Sequence, residues 1–160
     1  MSTSPTETAA AQAAREIVST RHYAQSREQL WAAFADAQRL ARWWGPAGFR
    51  NTFELCEFRP GGLWRFTMHG PDGQDYPNRS VFHIVEAPAR IVLEHENAPH
   101  FHLHITLSEE AGGTRLGWRM QFDDAATREA VARYAVPANE QVFDRLQAEL
   151  THTTHQGALA

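Results

Sequence analysis

Apolar and polar side chains alternate with a period of two along most of residues 50–122. Five turn signals rich in glycine, proline and asparagine divide this stretch into six runs of strand length. Because alternate residues of an extended strand point to opposite faces, large apolar residues two positions apart share one face. The clearest sets are Trp64, Phe66 and Met68, and Leu116, Trp118, Met120 and Phe122. The pattern predicts an antiparallel meander with one aromatic face.

A strand and two short helices are predicted before the meander. Ile17–Tyr23 has the composition of a first strand. Ser26–Gln29 then has the form of a capping box, which opens a helix through Phe34. Asp36 is suited to cap a second short helix that reaches Trp43, where Gly and Pro end it.

A helical region follows the meander. Thr127–Val136 has helical composition, and Pro137 suits the first turn of a new helix that runs to about Leu150. An apolar stripe is expected to cover the aromatic face of the sheet, and it consists of Val142, Phe143, Leu146 and Leu150. Charged residues are expected to lie outside the stripe, namely Glu140, Asp144, Arg145 and Glu149. Together these elements predict an α+β fold in which a curved antiparallel sheet wraps on a C-terminal helix.

The composition narrows the range of functions. A chain of 160 residues corresponds to about one domain, which we place at residues 15–150, between flexible tails at 1–14 and 151–160. No apolar run approaches the ~20 residues that cross a bilayer, and the first fifteen residues lack the features of a secretion signal. We therefore expect a cytoplasmic protein without a membrane span.

The charge and the cysteine content exclude further classes. The chain has 15 arginines, no lysine and 19 acidic residues, which gives a net charge of -4. It therefore offers no basic stripe that could bind nucleic acid. The single cysteine, Cys56, cannot form an internal disulfide or a cysteine-rich zinc site, and we interpret it as a core residue.

Three segments carry a family resemblance: WWGPAGFRNTF, FRPGGLWRFTMHGPDGQDYPN and VPANEQVFDRLQAEL. Together with the order of predicted elements, they resemble the helix-grip (SRPBCC) fold of START lipid-transfer domains and birch-pollen-allergen-like proteins. More narrowly, they resemble the bacterial branch related to the C-terminal domain of the activator of the heat-shock chaperone ATPase. The resemblance covers roughly residues 15–150. It implies a cavity between the curved sheet and the closing helix.

The resemblance and the aromatic pattern together indicate the residues of this cavity. The expected walls are Trp44, Trp64, Phe66, Met68, Phe82, Trp118 and Phe143. The expected polar anchors are His69, Tyr76, Asn78 and, if it points inward, Glu54. Periodicity leaves the orientation of Glu54 open, because it shares one face with Cys56 and Phe58 whereas Phe53 and Leu55 lie on the other. An outward Glu54 would pair with a neighbour such as Arg65.

A metal site is an alternative that the sequence raises. His100, His102 and His104 share one side of a strand, and two histidines two apart can bind one metal. The residues between and after the histidines are apolar and are expected to face the core, namely Phe101, Leu103, Ile105 and Leu107. The histidines are therefore expected on the solvent-exposed face, and their motif contains no carboxylate. We therefore predict neither a metal nor a cofactor.

Three functions follow from these observations. The first is binding of a small, largely apolar molecule in the cavity. The second, which the resemblance implies, is an enzyme of the polyketide cyclase or hydrolase type found elsewhere in the superfamily, with Glu54 or His69 as general acid or base. The third is a co-chaperone or adaptor, which would use an exposed apolar patch. An exposed Trp43 would serve such an adaptor or a homodimer. Because chaperone-activating relatives carry an additional N-terminal domain that this chain has no room for, we rank the co-chaperone function last.

Overall fold

The computed structural model describes residues 5–159, with side chains for residues 8–152. Residues 1–4 and Ala160 belong to the predicted tails and lie outside the described residues. The helices and strands are, in chain order, α1 (Pro5–Ala13), β1 (Glu16–Tyr23), α2 (Arg27–Ala35), α3 (Ala37–Trp43), β2 (Arg50–Cys56), β3 (Leu63–His69), β4 (Asp75–Glu86), β5 (Arg90–His95), β6 (Phe101–Glu110), β7 (Gly113–Phe122) and α4 (Ala125–Leu159).

One antiparallel sheet holds the seven strands of residues 5–159. Its order is β1-β7-β6-β5-β4-β3-β2, so the six strands from β2 to β7 form the predicted meander and β1 pairs with the last of them. The helix α4 packs across β1 and β7. The Tyr23 hydroxyl donates to the Phe143 carbonyl oxygen at 2.8 Å, which fixes α4 against β1. The predicted α+β fold, a curved sheet closed by a C-terminal helix, is confirmed.

The predicted helix starts are confirmed in detail. The backbone N–H of Gln29 donates to Ser26 Oγ at 3.2 Å, and the N–H of Ser26 donates to Gln29 Oε1 at 2.9 Å, which completes the capping box. Asp36 accepts hydrogen bonds from the N–H groups of Gln38 and Arg39 at the start of α3. These caps supply partners for donors that a helix N-terminus leaves free.

The C-terminal helical region differs from the prediction, because α4 passes through Pro137 as one helix. Proline removes one helical hydrogen bond. Ala135 and Asn139 are nevertheless buried on either side of it, so packing against the sheet holds both halves in line. The helix also continues beyond Leu150, and α1 forms within the segment predicted as a tail. The described residues of α1 and of the end of α4 are exposed, so no apolar periodicity indicated either extension.

The expectation of an exposed Trp43 was wrong. Trp43 is 1% exposed, and its indole N–H donates to the Ala33 carbonyl oxygen at 3.0 Å. It therefore belongs to the core and offers no surface for a homodimer or an adaptor. Glu149 is also buried: its side chain is 5% exposed and binds Arg39 and Arg42 of α3.

Two further observations bear on the predictions from composition. Cys56 is half-buried and packs against the core, as expected, and burial raises the pKa of its thiol to about 11. Among the helices in the described part of the chain, none combines the length and the apolar character needed to cross a bilayer.

Candidate functional site

A half-open cavity of about 220 Å³ lies between the inner face of the sheet and α4. The residues that line it come from the loop after α3, from five neighbouring strands and from the middle of α4. They are Trp44, Gly45, Pro46, Phe66, Met68, Asn78, Ser80, Leu93, His95, Phe101, Leu103, Trp118, Met120, Ala135, Ala138, Asn139 and Val142. Most of these side chains are apolar, and none of them is an arginine or a carboxylate.

Trp44 connects the loop after α3 to the aromatic layer of the sheet. Its ring lies 4.8 Å from that of Trp64 and 5.5 Å from that of Trp118, centroid to centroid. Gly45 follows with φ +91°, a conformation that favours glycine, and a Cβ there would lie 2.6 Å from Met68 Cε. Gly45 therefore allows the loop to approach the cavity wall closely.

Arg145 of α4 holds this loop in place. Its guanidinium donates to five backbone carbonyl oxygens at 2.8–3.0 Å, those of Arg42, Trp44, Gly45, Pro46 and Phe49. These acceptors include the last carbonyls of α3, which a helix C-terminus leaves without partners. Burial lowers the pKa of the guanidinium. The closing helix thus fixes the position of the aromatic loop.

Polar groups gather at one end of the cavity, where β4 and β5 pair. Ser80 and His95 are direct cross-strand partners. His95 Nδ1 lies 2.8 Å from the Pro99 carbonyl oxygen, and Nε2 lies 2.8 Å from Oδ1 of Asn78. Burial lowers the pKa of His95, although the Pro99 carbonyl acts in the opposite direction. The imidazole is therefore held in one orientation by both of its nitrogens.

Two other buried polar side chains line the cavity. Ser80 is 2% exposed and lines the cavity. Asn139 of α4 lies across from the sheet, where its amide contacts Ser19 Oγ at 3.4 Å and the sulfur of Met120 at 3.7 Å. Polar side chains that line an apolar cavity are suited to orient a guest molecule.

Five predicted site residues line the cavity, namely Trp44, Phe66, Met68, Asn78 and Trp118. Three predicted wall residues lie in the packed core beside it. Trp64, Phe82 and Phe143 are each at most 2% exposed. The rings of Trp64 and Phe82 stack at 5.5 Å, and Phe143 packs edge-on against Trp118 at 5.4 Å.

Three predicted polar anchors lie away from the cavity. Glu54 points outward, beside a β-bulge, and accepts from Thr67 Oγ1 at 2.8 Å; the expected partner Arg65 is not bonded to it. His69 lies between Thr52 and Asp75, within 2.8 Å of each. Tyr76 donates to Asp72 at 3.0 Å. His69 and Tyr76 thus brace their hairpin.

Sequence reasoning missed the most polar part of the cavity. His95, Ser80 and Asn139 were not among the predicted residues. His95 has the same parity as the buried Leu93, and this signal indicates an inward orientation. Ser80 and His95 become neighbours only through the pairing of β4 with β5. The sequence of either strand alone therefore gives no sign that the two residues meet.

A second polar cluster lies on the outer face of the same strands. Glu94 binds His100 at 2.7 Å and His83 at 2.8 Å, and His102 lies 3.7 Å from it. These contacts lower the pKa of Glu94 to about 2, with His100 as the largest cause. His104 stands apart and contacts Gln121 at 3.4 Å. The carboxylate that the histidine motif lacks is therefore provided by the neighbouring strand.

Comparisons with known proteins agree with this architecture. The family model described as Activator of Hsp90 ATPase homolog 1-like protein matches residues 24–151. A crystal structure of a Nitrosomonas europaea protein is similar with a TM-score of 0.80 and 19% identity, covering 88% of this chain and 97% of that one. A Rhodobacter sphaeroides protein has a TM-score of 0.78 and 27% identity, with coverages of 87% and 93%.

A third similar structure has a name that agrees with the family model. It is an AHSA1 protein from Silicibacter pomeroyi, with a TM-score of 0.71 and 22% identity, covering 86% of this chain and 99% of that one. No protein of curated function matches the chain in sequence.

Proposed function

This chain belongs to the Activator of Hsp90 ATPase homolog 1-like family, and we propose that it binds a small, largely apolar molecule in the cavity between its sheet and α4. One observation carries the proposal: an aromatic cavity of about 220 Å³ that is also lined by the buried polar residue Ser80. Apolar walls with a few convergent polar groups are the usual features of a small-molecule site. The family's fold is in general one that binds ligands, and this role is consistent with it.

The volume limits the size of the ligand. A cavity of ~150 Å³ lined by apolar side chains accommodates benzene, so the ~220 Å³ here corresponds to roughly nine non-hydrogen atoms. Burying ~200 Å² of apolar ligand surface contributes roughly 5 kcal/mol before the costs of association. We therefore expect a ligand of one or two rings, or an alkyl chain of similar volume, with modest affinity.

The polar end of the cavity limits the chemistry of the ligand. Ser80 and Asn78 offer hydrogen bonds at one place, beside the imidazole of His95. No charged side chain among the lining residues would neutralise an ionised ligand, and moving such a charge out of water is costly. The ligand is accordingly neutral, with one hydroxyl or carbonyl group directed at Ser80.

Phenol, indole and benzene serve as probes in the test. Trp44 and Trp118 line the cavity, so tryptophan fluorescence and the indole N–H signals in NMR spectra report on occupancy. We expect saturable binding of phenol and indole, and weaker binding of benzene, which has no group to bond to Ser80. The Ala138→Phe variant fills the cavity from α4 and should abolish binding. The matched control is Ala130→Phe, at an exposed position of the same helix.

Two outcomes would contradict the proposal. One is the absence of saturable binding for all three probes. The other is equal binding by the Ala138→Phe and Ala130→Phe variants, which would place the probes elsewhere. If the probes do bind as expected, mass spectrometry of the protein purified under non-denaturing conditions would identify the ligand from its natural source.

The alternative functions have weaker support. The enzyme hypothesis relied on Glu54 and His69, and both lie outside the cavity; the titratable side chain that lines it, His95, has both nitrogens engaged. For a co-chaperone, the large exposed apolar residues among those described are spread over several elements: Val18, Leu63, Tyr76, Tyr134 and Val136. An ATPase assay with purified Hsp90 tests this role. The cytoplasmic location expected from the sequence stays a prediction.

A further inference from the structure

Three adjacent strands bring two histidines and a glutamate together on the outer face of the sheet. His83 Nε2 lies 2.8 Å from Glu94 Oε1, and His102 Nε2 lies 3.7 Å from the same oxygen. The ligating atoms of the three side chains all lie within 4.8 Å of one another. The rings of His83 and His102 face each other at 5.9 Å, with an angle of 27° between their planes.

Strand pairing produces this arrangement. Glu94 of β5 is the direct partner of His102 on β6. On the other side, the register between β4 and β5 shifts between Phe82 and Ile84, and His83 lies at this shift. The irregularity places the imidazole of His83 beside the carboxylate of Glu94. Because the three residues belong to the middle of a paired sheet, their backbone positions are fixed.

The spacing of the three ligand atoms suits one metal ion. Bonds of ~2.0–2.1 Å in a tetrahedral site separate the ligand atoms by about 3.3 Å, and the two observed separations of 2.8 and 3.7 Å lie on either side of this value. We propose that His83, Glu94 and His102 bind one divalent cation of the zinc class, with water in the remaining position. Two imidazoles and one carboxylate form a donor set that zinc accepts in other proteins.

A fourth residue positions the carboxylate. His100 Nε2 lies 2.7 Å from Glu94 Oε2, which leaves Oε1 directed at His83 and His102. His100 Nδ1 lies 2.8 Å from Asp123 Oδ2. Glu94 is thus held by a hydrogen-bonded chain, as ligands of metal sites commonly are.

The chemistry of the donors selects the cation. Calcium and magnesium prefer oxygen ligands, whereas imidazole favours zinc, copper and nickel. The site opens to solvent, since the His83 side chain is 45% exposed, so an ion can enter. Glu94 and His102 are the sequence neighbours of Leu93 and Leu103, which line the cavity. The metal site therefore lies on the opposite face of the sheet from the cavity. This proposal does not depend on the proposed function.

Titration of the full chain with Zn²⁺ by calorimetry, and with Co²⁺ by visible absorption, tests the proposal. We expect one equivalent to bind, and Ca²⁺ and Mg²⁺ not to compete. The variants His83→Gln and His102→Gln should each weaken Zn²⁺ binding tenfold or more. His22→Gln is the matched control, because His22 has a carboxylate partner, Glu110 at 2.7 Å, and lies on β1 at the edge of the sheet; it should leave the affinity unchanged.

Two further measurements distinguish this site from histidines elsewhere in the chain and from a loss of folding. A variant with both His152 and His155 changed to Gln tests the histidines near the C-terminus and should bind Zn²⁺ as the parent does. Circular dichroism establishes that each variant is folded. The proposal is overturned if no saturable equivalent binds, if His22→Gln weakens binding as much as His102→Gln, or if Zn²⁺-soaked crystals show no anomalous signal at Glu94.

Discussion

The Arg145 guanidinium donates a hydrogen bond to the carbonyl oxygen of Trp44 at 3.0 Å. Arg145 lies on the closing helix, and Trp44 lies in the loop that forms one wall of the cavity. The same guanidinium bonds four more carbonyl oxygens of that segment. The position of the aromatic wall is therefore set by one side chain from the opposite layer of the fold.

Arg145→Lys should lower the free energy of unfolding by about 2 kcal/mol. The planar guanidinium donates hydrogen bonds to five carbonyl oxygens, whereas the ammonium group of lysine has only three N–H donors. The fluorescence of Trp44 should change as its loop relaxes. Urea denaturation measures the first effect and an emission spectrum the second. Arg133→Lys is the control, since Arg133 is exposed on the same helix. Equal stability of the two variants would show that these hydrogen bonds contribute little.

A buried ion cluster joins α3 to α4 through Glu149. Its carboxylate lies 2.8 Å from Arg42 and 3.1 Å from Arg39, and the side chain is 5% exposed. Glu149→Gln leaves the partly buried Arg39 without its counter-charge, so we expect a loss of about 3 kcal/mol in urea denaturation. The control is Glu140→Gln on the same helix as Glu149, which removes an exposed ion pair with Arg21. It should lower the free energy of unfolding by less than about 1 kcal/mol. A similar loss in both variants would contradict this account.

Trp64 contributes to stability because it is packed on all sides. It is 1% exposed, and its ring stacks on Phe66 at 4.4 Å. Trp64→Ala should therefore destabilise the protein by about 3–5 kcal/mol. Trp44→Ala, in contrast, removes part of the cavity wall and should weaken binding of indole more than it reduces stability. Thermal denaturation and binding titrations of both variants separate the effects; the reverse ranking would place Trp64 at the site.

Burial of His95 makes stability depend on pH. Since its folded-state pKa is lowered from 6.5, the unfolded chain binds a proton more readily. The contribution of neutral His95 is fully present above pH ~6.5 and decreases as the pH falls toward the lower folded-state pKa. We expect the urea midpoint to fall more between about pH 7.5 and pH 5.5 for the parent protein than for His95→Asn. Parallel pH profiles would show that His95 is not the responsible group.

Local signals in the sequence were sufficient for most of the secondary structure. The capping box at Ser26, the Asp36 cap and the alternation along the strands depend on interactions within a few residues, and the structure confirms each of them. The path of α4 through Pro137 could not be predicted in this way, because the burial of Ala135 and Asn139 against the sheet outweighs the local preference for a break.

Part of the lining of the cavity could be predicted from the sequence. Phe66, Met68 and Trp118 line the cavity because alternation placed their faces correctly, whereas Trp44, in the loop after α3, was indicated by the family resemblance. Alternation does not distinguish a wall residue from a fully packed neighbour such as Trp64, since both point inward. The difference depends on how side chains from other strands fill the space around each ring.

The sequence by itself determined the helices α2 and α3, the meander and the aromatic face, because these follow from backbone periodicity and local caps. Only the tertiary structure decided which polar groups meet. Ser80 reaches His95, Glu94 reaches His83 and His102, and Arg145 reaches Trp44 through strand register and helix packing. These contacts join residues distant along the chain, and their geometry is fixed by the assembled core, so no local pattern contains them.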